Sequence, residues 1–367
     1  MSPSPVVSRL RAIPVAAIVV LAGCSTPATS PSPSAESTEP SVAASQSQAA
    51  EAGALPPPEL TEVRIALSSE RIEHVQYIQA TNLGEKYGFS NLEFIGFDGA
   101  SPAAQALFAG QVDVADNSGG PVVSSLATDS PLIMTFVSRH NLTDILYGQP
   151  EVQSADDLRG GSIAISSFGS QSHAGAILAL AALGLTPEDV TITQVGNDSA
   201  RSAALEAGSV TASLNDSAIE RQLADAGFNV LVRLAEEANV GGVVRSSLTF
   251  PQEFVDQYPN TVLNLTAMWM EANLKWREEP DLMAERLSEV LEIPLDEARS
   301  DLDALLEEPW DPFDGRCNPD VMQFTLETLL PLNPELESVD PNDGCTNEFI
   351  DQLEELGFLQ EIGVPGY

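Results

Sequence analysis

The segment of the sequence best suited to bind a small molecule is 166–173, Ser-Ser-Phe-Gly-Ser-Gln-Ser-His. It lies between a predicted strand and a predicted helix, and Gly169 permits a tight turn there. Its hydroxyl groups and the free backbone N–H groups of the helix start can converge on a polar or anionic group. N-capping by Ser170 or Ser172 is the alternative, although a cap needs one hydroxyl and four are present. The candidate ligand-binding residues of this segment are Ser166, Ser167, Gly169, Ser170, Gln171 and Ser172.

Further polar residues follow other predicted strands, at the points where those strands end. Among them, residues 116–121 include two adjacent glycines, which let a backbone approach a ligand closely. Each group is equally typical of an ordinary turn or a helix cap, so both interpretations stay open. The candidate ligand-binding residues from these groups are Ser68, Ser69, Asn117, Ser118, Asn197 and Asn215.

Arg139 lies where a first run of strands gives way to a second. Its guanidinium group can hold a carboxylate or sulfonate with two parallel hydrogen bonds, which makes it a further candidate ligand-binding residue. An ion pair between two lobes of an acidic protein is the alternative. His74 and His173 are predicted to be structural residues of helices rather than functional groups.

No motif in the sequence indicates catalysis, a cofactor or a metal. There is no Gly-x-Ser-x-Gly elbow, Walker loop, Gly-x-Gly-x-x-Gly fingerprint or His-Glu-x-x-His helix. Residues 311–315, Asp-Pro-Phe-Asp-Gly, lack the ligand spacing of a calcium loop. We therefore expect no enzymatic activity, no cofactor and no metal site.

Strands and helices alternate along the sequence in two successive runs, and Ser101-Pro102 is predicted to begin one of the helices. The predicted strands are 63–67, 92–97, 112–115, 131–137, 162–166, 190–195, 210–214 and 228–234. This alternation is typical of α/β proteins with mainly parallel sheets. Ligands of such sheets bind outside the carboxyl ends of the strands, where the candidate residues lie. After about residue 248 the chain is predicted to be mainly helical.

The N-terminus has the features of an export signal. Arg9 and Arg11 precede an apolar run over 13–21, which is too short to span a bilayer. The run ends in Leu-Ala-Gly before Cys24, which resembles the lipobox of bacterial lipoproteins, so Cys24 is the predicted site of lipid attachment. An ordinary secretory signal is the alternative. Residues 24–58 are rich in Ser, Pro and Ala and are predicted to form a disordered tether.

Acidic residues dominate the charge of the chain. It has 16 Lys and Arg against 54 Asp and Glu, a formal net charge of −38. A field of this sign repels phosphate backbones, so a nucleic-acid partner is excluded. A solvated acidic shell suited to high salt is one interpretation of the excess. Attraction of a cationic solute is the other.

Two cysteines, Cys317 and Cys345, remain when Cys24 is set aside. Outside the cell, an even number of cysteines indicates a disulfide rather than free thiols. No histidine lies near either of them in the sequence, which argues against a metal site. We therefore predict a Cys317–Cys345 disulfide.

Several segments resemble one family. Residues 154–166 (Ser-Ala-Asp-Asp-Leu-Arg-Gly-Gly-Ser-Ile-Ala-Ile-Ser), which lead into Gly-Ser-Gln-Ser-His at 169–173, are similar to an Asp-Leu-Lys/Arg-Gly, strand, Gly-Ser-x-x-His pattern. Residues 106–115 resemble another stretch of the same family, and the similarity extends over about 62–250. The family is that of ABC-transporter solute-binding lipoproteins of the nitrate, sulfonate and taurine type. Its type II periplasmic-binding-protein fold is shared with thiamine-pyrimidine precursor binding proteins.

The resemblance implies a two-lobed α/β clamp with mainly parallel sheets and a helical C-terminal part, which binds a small polar solute between its lobes. The predicted segments are a signal peptide at 1–23, the tether at 24–58, lobe 1 at 59–142, lobe 2 at 143–239, and at 240–367 a return to lobe 1 followed by C-terminal helices. The solute is expected to be sulfonate-, taurine- or nitrate-like, or a pyrimidine or flavin precursor. The site loops contain few cations, which disfavours a strongly anionic solute.

The resemblance also implies a location and partners. The protein is expected to be a monomer outside the cytoplasm, held at the membrane by lipid on Cys24, and to deliver its solute to permease and ATPase subunits. An enzyme of pyrimidine or cofactor biosynthesis on the same fold and a surface ligand sensor are the alternatives. The export signal argues against the enzyme, since such an enzyme is normally cytoplasmic.

Overall fold

Two five-stranded sheets form the framework of the protein. The computed structural model describes residues 54–69, 73–140, 142–237, 242–307, 314–331 and 333–367. The predicted signal peptide, Cys24 and most of the predicted tether lie outside the described residues. The strands are β1 (Glu62–Leu67), β2 (Asn91–Gly96), β3 (Val114–Asn117), β4 (Leu132–Arg139), β5 (Ile145–Gly148), β6 (Ser162–Ile165), β7 (Thr191–Gln194), β8 (Ala212–Asn215), β9 (Asn229–Arg233) and β10 (Ser246–Pro251).

The first sheet has the strand order β2-β1-β3-β10-β4, and the second has the order β7-β6-β8-β5-β9. In each sheet four strands run in one direction, and β10 or β5 runs against them. The predicted two-lobed α/β architecture with mainly parallel sheets is confirmed. We call residues 54–140 and 242–367 lobe 1 and residues 142–237 lobe 2. The predicted boundaries at 142/143 and 239/240 stay a prediction.

Helices cover both sheets and make up most of the C-terminal part. They are α1 (Glu73–Thr81), α2 (Leu83–Lys86), α3 (Ala100–Phe108), α4 (Gly119–Ser125), α5 (Ala155–Leu158), α6 (Gln171–Ala182), α7 (Asp198–Glu206), α8 (Glu220–Asp225), α9 (Gln252–Gln257), α10 (Pro259–Lys275), α11 (Pro280–Leu291), α12 (Leu295–Glu307), α13 (Pro319–Leu329), α14 (Glu348–Glu355) and α15 (Phe358–Ile362). None of the described helices is long and apolar enough to cross a membrane.

The core of lobe 1 forms where α10 packs on the first sheet and on α1. Trp269 and Met268 of α10 are fully buried in a cluster with Phe136 of β4 and Phe250 of β10. Seven of the eight residues of β4 are buried, as expected for a strand with both faces covered. Lobe 2 has its own apolar clusters, so each sheet is a separate rigid support for the loops at its edge.

Two sequence predictions about local structure are wrong, and two strands were missed. The antiparallel strands β5 and β10 were not predicted, because β5 has only four residues and half of β10 is Ser or Thr. Helix α3 begins at Ala100 with Gly99 as its N-cap (φ 115°), and Ser101 does not cap it. Residues 54–58 belong to the folded part rather than to the tether, since Pro56 O accepts a hydrogen bond from Asn264 Nδ2 (2.8 Å).

Cys317 and Cys345 lie side by side, with Cα atoms 6.2 Å apart, within the range that a disulfide requires. The 28-residue separation means that the bond would stabilise the protein by about 3.5 kcal/mol in the chain-entropy model. We expect the double variant Cys317→Ser/Cys345→Ser to lose that amount in urea denaturation, and reduction to destabilise the unaltered protein equally. Two reactive thiols in the denatured, unreduced protein would contradict the bond.

Candidate functional site

A cavity of about 120 Å³ lies between the two sheets, at the edge where most strands end. Residues that follow β1, β3, β6, β7 and β8 line it, as the rule for parallel sheets predicts. Nine of the predicted ligand-binding residues line the cavity: Ser68, Ser69, Ser118, Arg139, Ser166, Ser170, Gln171, Ser172 and Asn197. Both lobes therefore contribute polar side chains to one enclosed space.

Eleven residues that line the cavity were not among the predicted ligand-binding residues. They are Glu73, His74, Gly99, Ala100, Asp116, Asp144, Asp198, Arg201, Asp216, Arg245 and Ser246. Asp116, Asp198 and Asp216 adjoin predicted candidates and could have been found by including the acids of each strand-end loop. Asp144, Arg245 and Ser246 could not, because they lie at or beside the first residues of the antiparallel strands β5 and β10.

Asp116 is the centre of a buried hydrogen-bond network on the lobe 1 side. Its carboxylate contacts His74 Nε2 (2.7 Å) and accepts hydrogen bonds from Trp269 Nε1 (3.0 Å) and Ser246 Oγ (2.7 Å). Asp116 is fully buried, and His74 is nearly so. His74 lies in the first turn of α1 and faces Asp116 beside the cavity, and the prediction that it is a structural helix residue stays a prediction.

Each arginine of the described cavity wall has a carboxylate partner. Arg139 Nη2 lies 3.1 Å from Glu73 Oε2, an ion pair within lobe 1 rather than the predicted alternative of a pair between lobes. Arg245 of lobe 1 pairs with Asp216 of lobe 2. The third pair joins Arg201 to Asp198 at 2.6 Å, and Arg201 also donates to two backbone carbonyls. These pairs neutralise the positive charge in the cavity wall.

Asp144 differs from those carboxylates because it lacks a matching cation among the described residues. It is 3% exposed and accepts one hydrogen bond from Gln171 Nε2 (2.5 Å). Burial raises the pKa of its carboxyl group, and the nearby Arg245 only partly opposes this. Asp144 therefore retains capacity to accept hydrogen bonds inside the protein.

The serine-rich segment caps a helix and also lies at the cavity wall, while its role in ligand binding stays a prediction. Ser170 caps α6, since its Oγ accepts from His173 N, and the Oγ atoms of Ser166, Ser170 and Ser172 lie 2.8–3.0 Å apart at the cavity wall. His173 is structural as predicted: its Nδ1 accepts from Gly169 N (2.9 Å). Burial lowers the pKa of His173 to about 4, which keeps that nitrogen unprotonated and able to accept.

Four predicted ligand-binding residues, Asn117, Ser167, Gly169 and Asn215, do not line the cavity. Asn117 joins β3 to α3 by donating to Ala100 O (3.1 Å), and Asn215 donates to Asp198 O (3.1 Å). Ser167 is buried, and its Oγ has no hydrogen-bond partner. Gly169 instead lies against the other lobe. Sequence position beside a strand end does not show which way a side chain points.

The two lobes touch beside the cavity. Ser101 Oγ of lobe 1 donates to Phe168 O of lobe 2 (2.8 Å). A Cβ atom added to Gly120 would lie 2.3 Å from Gly169 O, so the backbones meet where only glycine fits. Further along, Arg221 pairs with Asp301 at 2.8 Å. The cleft is closed in this structure.

The family model of the NMT1-like family matches residues 57–291, which is more than half of the chain. The chain belongs to the NMT1-like family. This range includes both sheets and every described residue that lines the cavity. None of the curated proteins matches the sequence closely enough to count as a relative.

Three solved structures illustrate the fold that this chain shares with other proteins. A protein from Bordetella bronchiseptica RB50 has a TM-score of 0.72 and 23% identity over 82% of this chain and 99% of its own. The alkanesulfonate-binding protein SsuA from Xanthomonas axonopodis pv. citri scores 0.65, with 17% identity over 78% and 99%. The periplasmic nitrate-binding protein NrtA from Synechocystis PCC 6803 scores 0.67, with 14% identity over 85% and 92%. The predicted resemblance to sulfonate- and nitrate-type binding proteins is confirmed.

Proposed function

We propose that this chain is the extracytoplasmic solute-binding component of an ABC importer, which captures a small polar solute between its two lobes. The observation that carries the proposal is the polar cavity between the lobes, to which both lobes contribute side chains and beside which they touch. Membership of the NMT1-like family and the fold shared with sulfonate- and nitrate-binding proteins support it. The protein acts as a monomer and has no catalytic role.

A solute that binds between the lobes stabilises the closed form, because it gains contacts on both sides only when the cleft is shut. The permease then distinguishes the loaded protein by its shape. The cavity volume of about 120 Å³ limits the part of the solute that is enclosed to a few heavy atoms, so the solute is compact or is held by one end. Permease and ATPase subunits are the proposed partners.

Solute binding is tested by thermal melting of the purified protein with sulfonates, nitrate, amines, pyrimidines and flavin precursors, each tested separately. A solute at 100 times its dissociation constant should raise the free energy of unfolding by about 2.7 kcal/mol. Variant Ser101→Ala serves as a comparison, because it removes a contact between lobes and leaves the cavity wall unchanged. If no compound in any class shifts the melting curve, the proposal loses its main support.

The anchor at Cys24 is a separate part of the proposal and has its own test. We expect intact-mass spectrometry of the protein extracted from membranes to show a lipid-modified N-terminal Cys24, with residues 1–23 removed. Variant Cys24→Ser should appear in the soluble fraction without the added mass. An N-terminus at another residue, or an unmodified cysteine, would contradict the anchor and leave the binding function untouched.

A further inference from the structure

The charges that face the cavity do not balance. Within the described residues, the wall has five carboxylates and three arginines, and each arginine is already paired with a carboxylate. The two carboxylates left over are Asp116 and Asp144. Asp116 contacts three polar groups, including His74, so its oxygens are well satisfied. The unmatched acceptor of the cavity is therefore Asp144.

Asp144 is built into the site rather than exposed by chance. It directly precedes β5, and its backbone O accepts from Leu234 N (3.1 Å), which fixes the main chain. Within the part of the chain that the structure describes, its side chain has the single hydrogen-bond partner Gln171, which also lines the cavity. A buried carboxylate with one neutral donor is costly to ionise unless a further donor or a cation completes its shell.

A second observation, on the lobe 1 side of the cavity, also points to a polar solute. Ser118, before α4 of lobe 1, is 3% exposed and lines the cavity, yet its Oγ has no hydrogen-bond partner. A hydroxyl both donates and accepts, so it suits the polar part of a bound solute. Each lobe thus contributes to the cavity wall one polar side chain that can form a further hydrogen bond, Ser118 on lobe 1 and Asp144 on lobe 2.

Two of the helix starts at the cavity, those of α6 and α7, do not reverse this charge balance. The N-termini of α6 and α7 carry partial positive charge, which favours anions. However, Ser170 Oγ already accepts from the first turn of α6, and Asn197 Oδ1 does the same for α7. Asp198 adds a negative charge to the first turn of α7. A simple anion would meet paired arginines, the capped starts of α6 and α7, and an unpaired carboxylate, whereas the starts of α3 and α4 have no side-chain cap.

We propose that the solute carries a protonated nitrogen that donates to Asp144, while a polar group elsewhere on the solute contacts Ser118. The solute class is thus a compact organic cation or zwitterion, and not an anion such as nitrate or an unsubstituted sulfonate. This inference rests on the proposed solute-binding function. It assigns to Asp144 the part of the site that selects the class of solute.

The test uses the full chain and yeast extract of low molecular weight, divided on a strong cation-exchange resin at pH 2. The resin retains solutes that are cationic at that pH, and each fraction is neutralised before thermal melting. Taurine and isethionate are each tested as pure compounds, because the resin does not retain an aminosulfonate such as taurine. The two compounds differ only in that taurine has an ammonium group where isethionate has a hydroxyl group. We expect the retained fraction to raise the melting temperature. If either sulfonate binds, we expect it to be taurine.

The variant Asp144→Asn should weaken binding of the active fraction at least about 30-fold, since the charge that meets the ammonium is lost. Its melting temperature without solute should be unchanged or higher, because it removes a buried charge and retains the acceptor for Gln171. The matched control is Asp225→Asn on α8, an exposed acid of the same lobe, which should bind like the unaltered protein.

A shift produced by isethionate but not by taurine, or produced only by the flow-through fraction while taurine alone gives none, would overturn the cation proposal and leave solute binding intact. Unchanged affinity in Asp144→Asn would also overturn it. If neither fraction shifts the unaltered protein, the proposed function fails with it. If Asp144→Asn does not fold, the comparison of the retained and flow-through fractions on the unaltered protein still tests the cation proposal.

Discussion

Replacing Gly120 with alanine is expected to weaken solute binding about tenfold to a hundredfold without destabilising the solute-free protein. The added Cβ would lie 2.3 Å from Gly169 O, a backbone atom that no rotamer change can move away. Overpacking of this kind costs about 1–3 kcal/mol. The cost falls on the closed form alone, because opening the cleft separates the two glycines. Calorimetric titration and thermal melting without solute measure the two effects separately.

Gly96→Ala is the matched control for that prediction. Gly96 ends β2 in the same lobe, and a Cβ there would have nothing within 4 Å. The affinity of this variant should equal that of the unaltered protein. If Gly120→Ala binds solute as tightly as the unaltered protein, the lobes need not meet at these glycines for solute to bind. Closure of the cleft would then not be required for binding.

Replacing Asp116 with alanine is expected to lower the free energy of unfolding by about 2–5 kcal/mol, because His74, Trp269 and Ser246 lose a shared buried partner. Urea denaturation gives the value. Asp225→Ala, an exposed acid that loses no buried contact, should change stability by less than about 0.5 kcal/mol. A loss below about 1 kcal/mol for Asp116→Ala would show that water replaces the carboxylate and that the network does not hold the cavity wall.

The sequence was most informative where parallel strands end. Ser68, Ser118, Ser166 and Asn197 were placed at the site by one physical rule, since the carboxyl ends of parallel strands meet at one edge. The same rule overlooked Asp144 and Ser246. They lie at the amino ends of antiparallel strands that share this edge, and strand direction is set by tertiary pairing rather than by local pattern.

The charge balance of the cavity also could not be predicted from the sequence. A count of 54 acidic residues shows an acidic protein but does not show which acids face the cavity. Arg139 illustrates the point: its type suggested an anion clamp, whereas its pairing with Glu73 leaves it neutralised. Side-chain direction was equally hidden, since Asn117 and Ser118 are adjacent and only Ser118 lines the cavity.

The central claim is that one small molecule is held between the two lobes. It is tested most directly by hydrogen–deuterium exchange, measured with and without a solute that raises the melting temperature. We expect slower exchange in both lobes together, in residues 97–101 and 116–121 of lobe 1 and in residues 166–173 of lobe 2. Exchange in α11, which does not line the cavity, should stay unchanged. Protection confined to one lobe, or found only outside these loops, would contradict binding between the lobes.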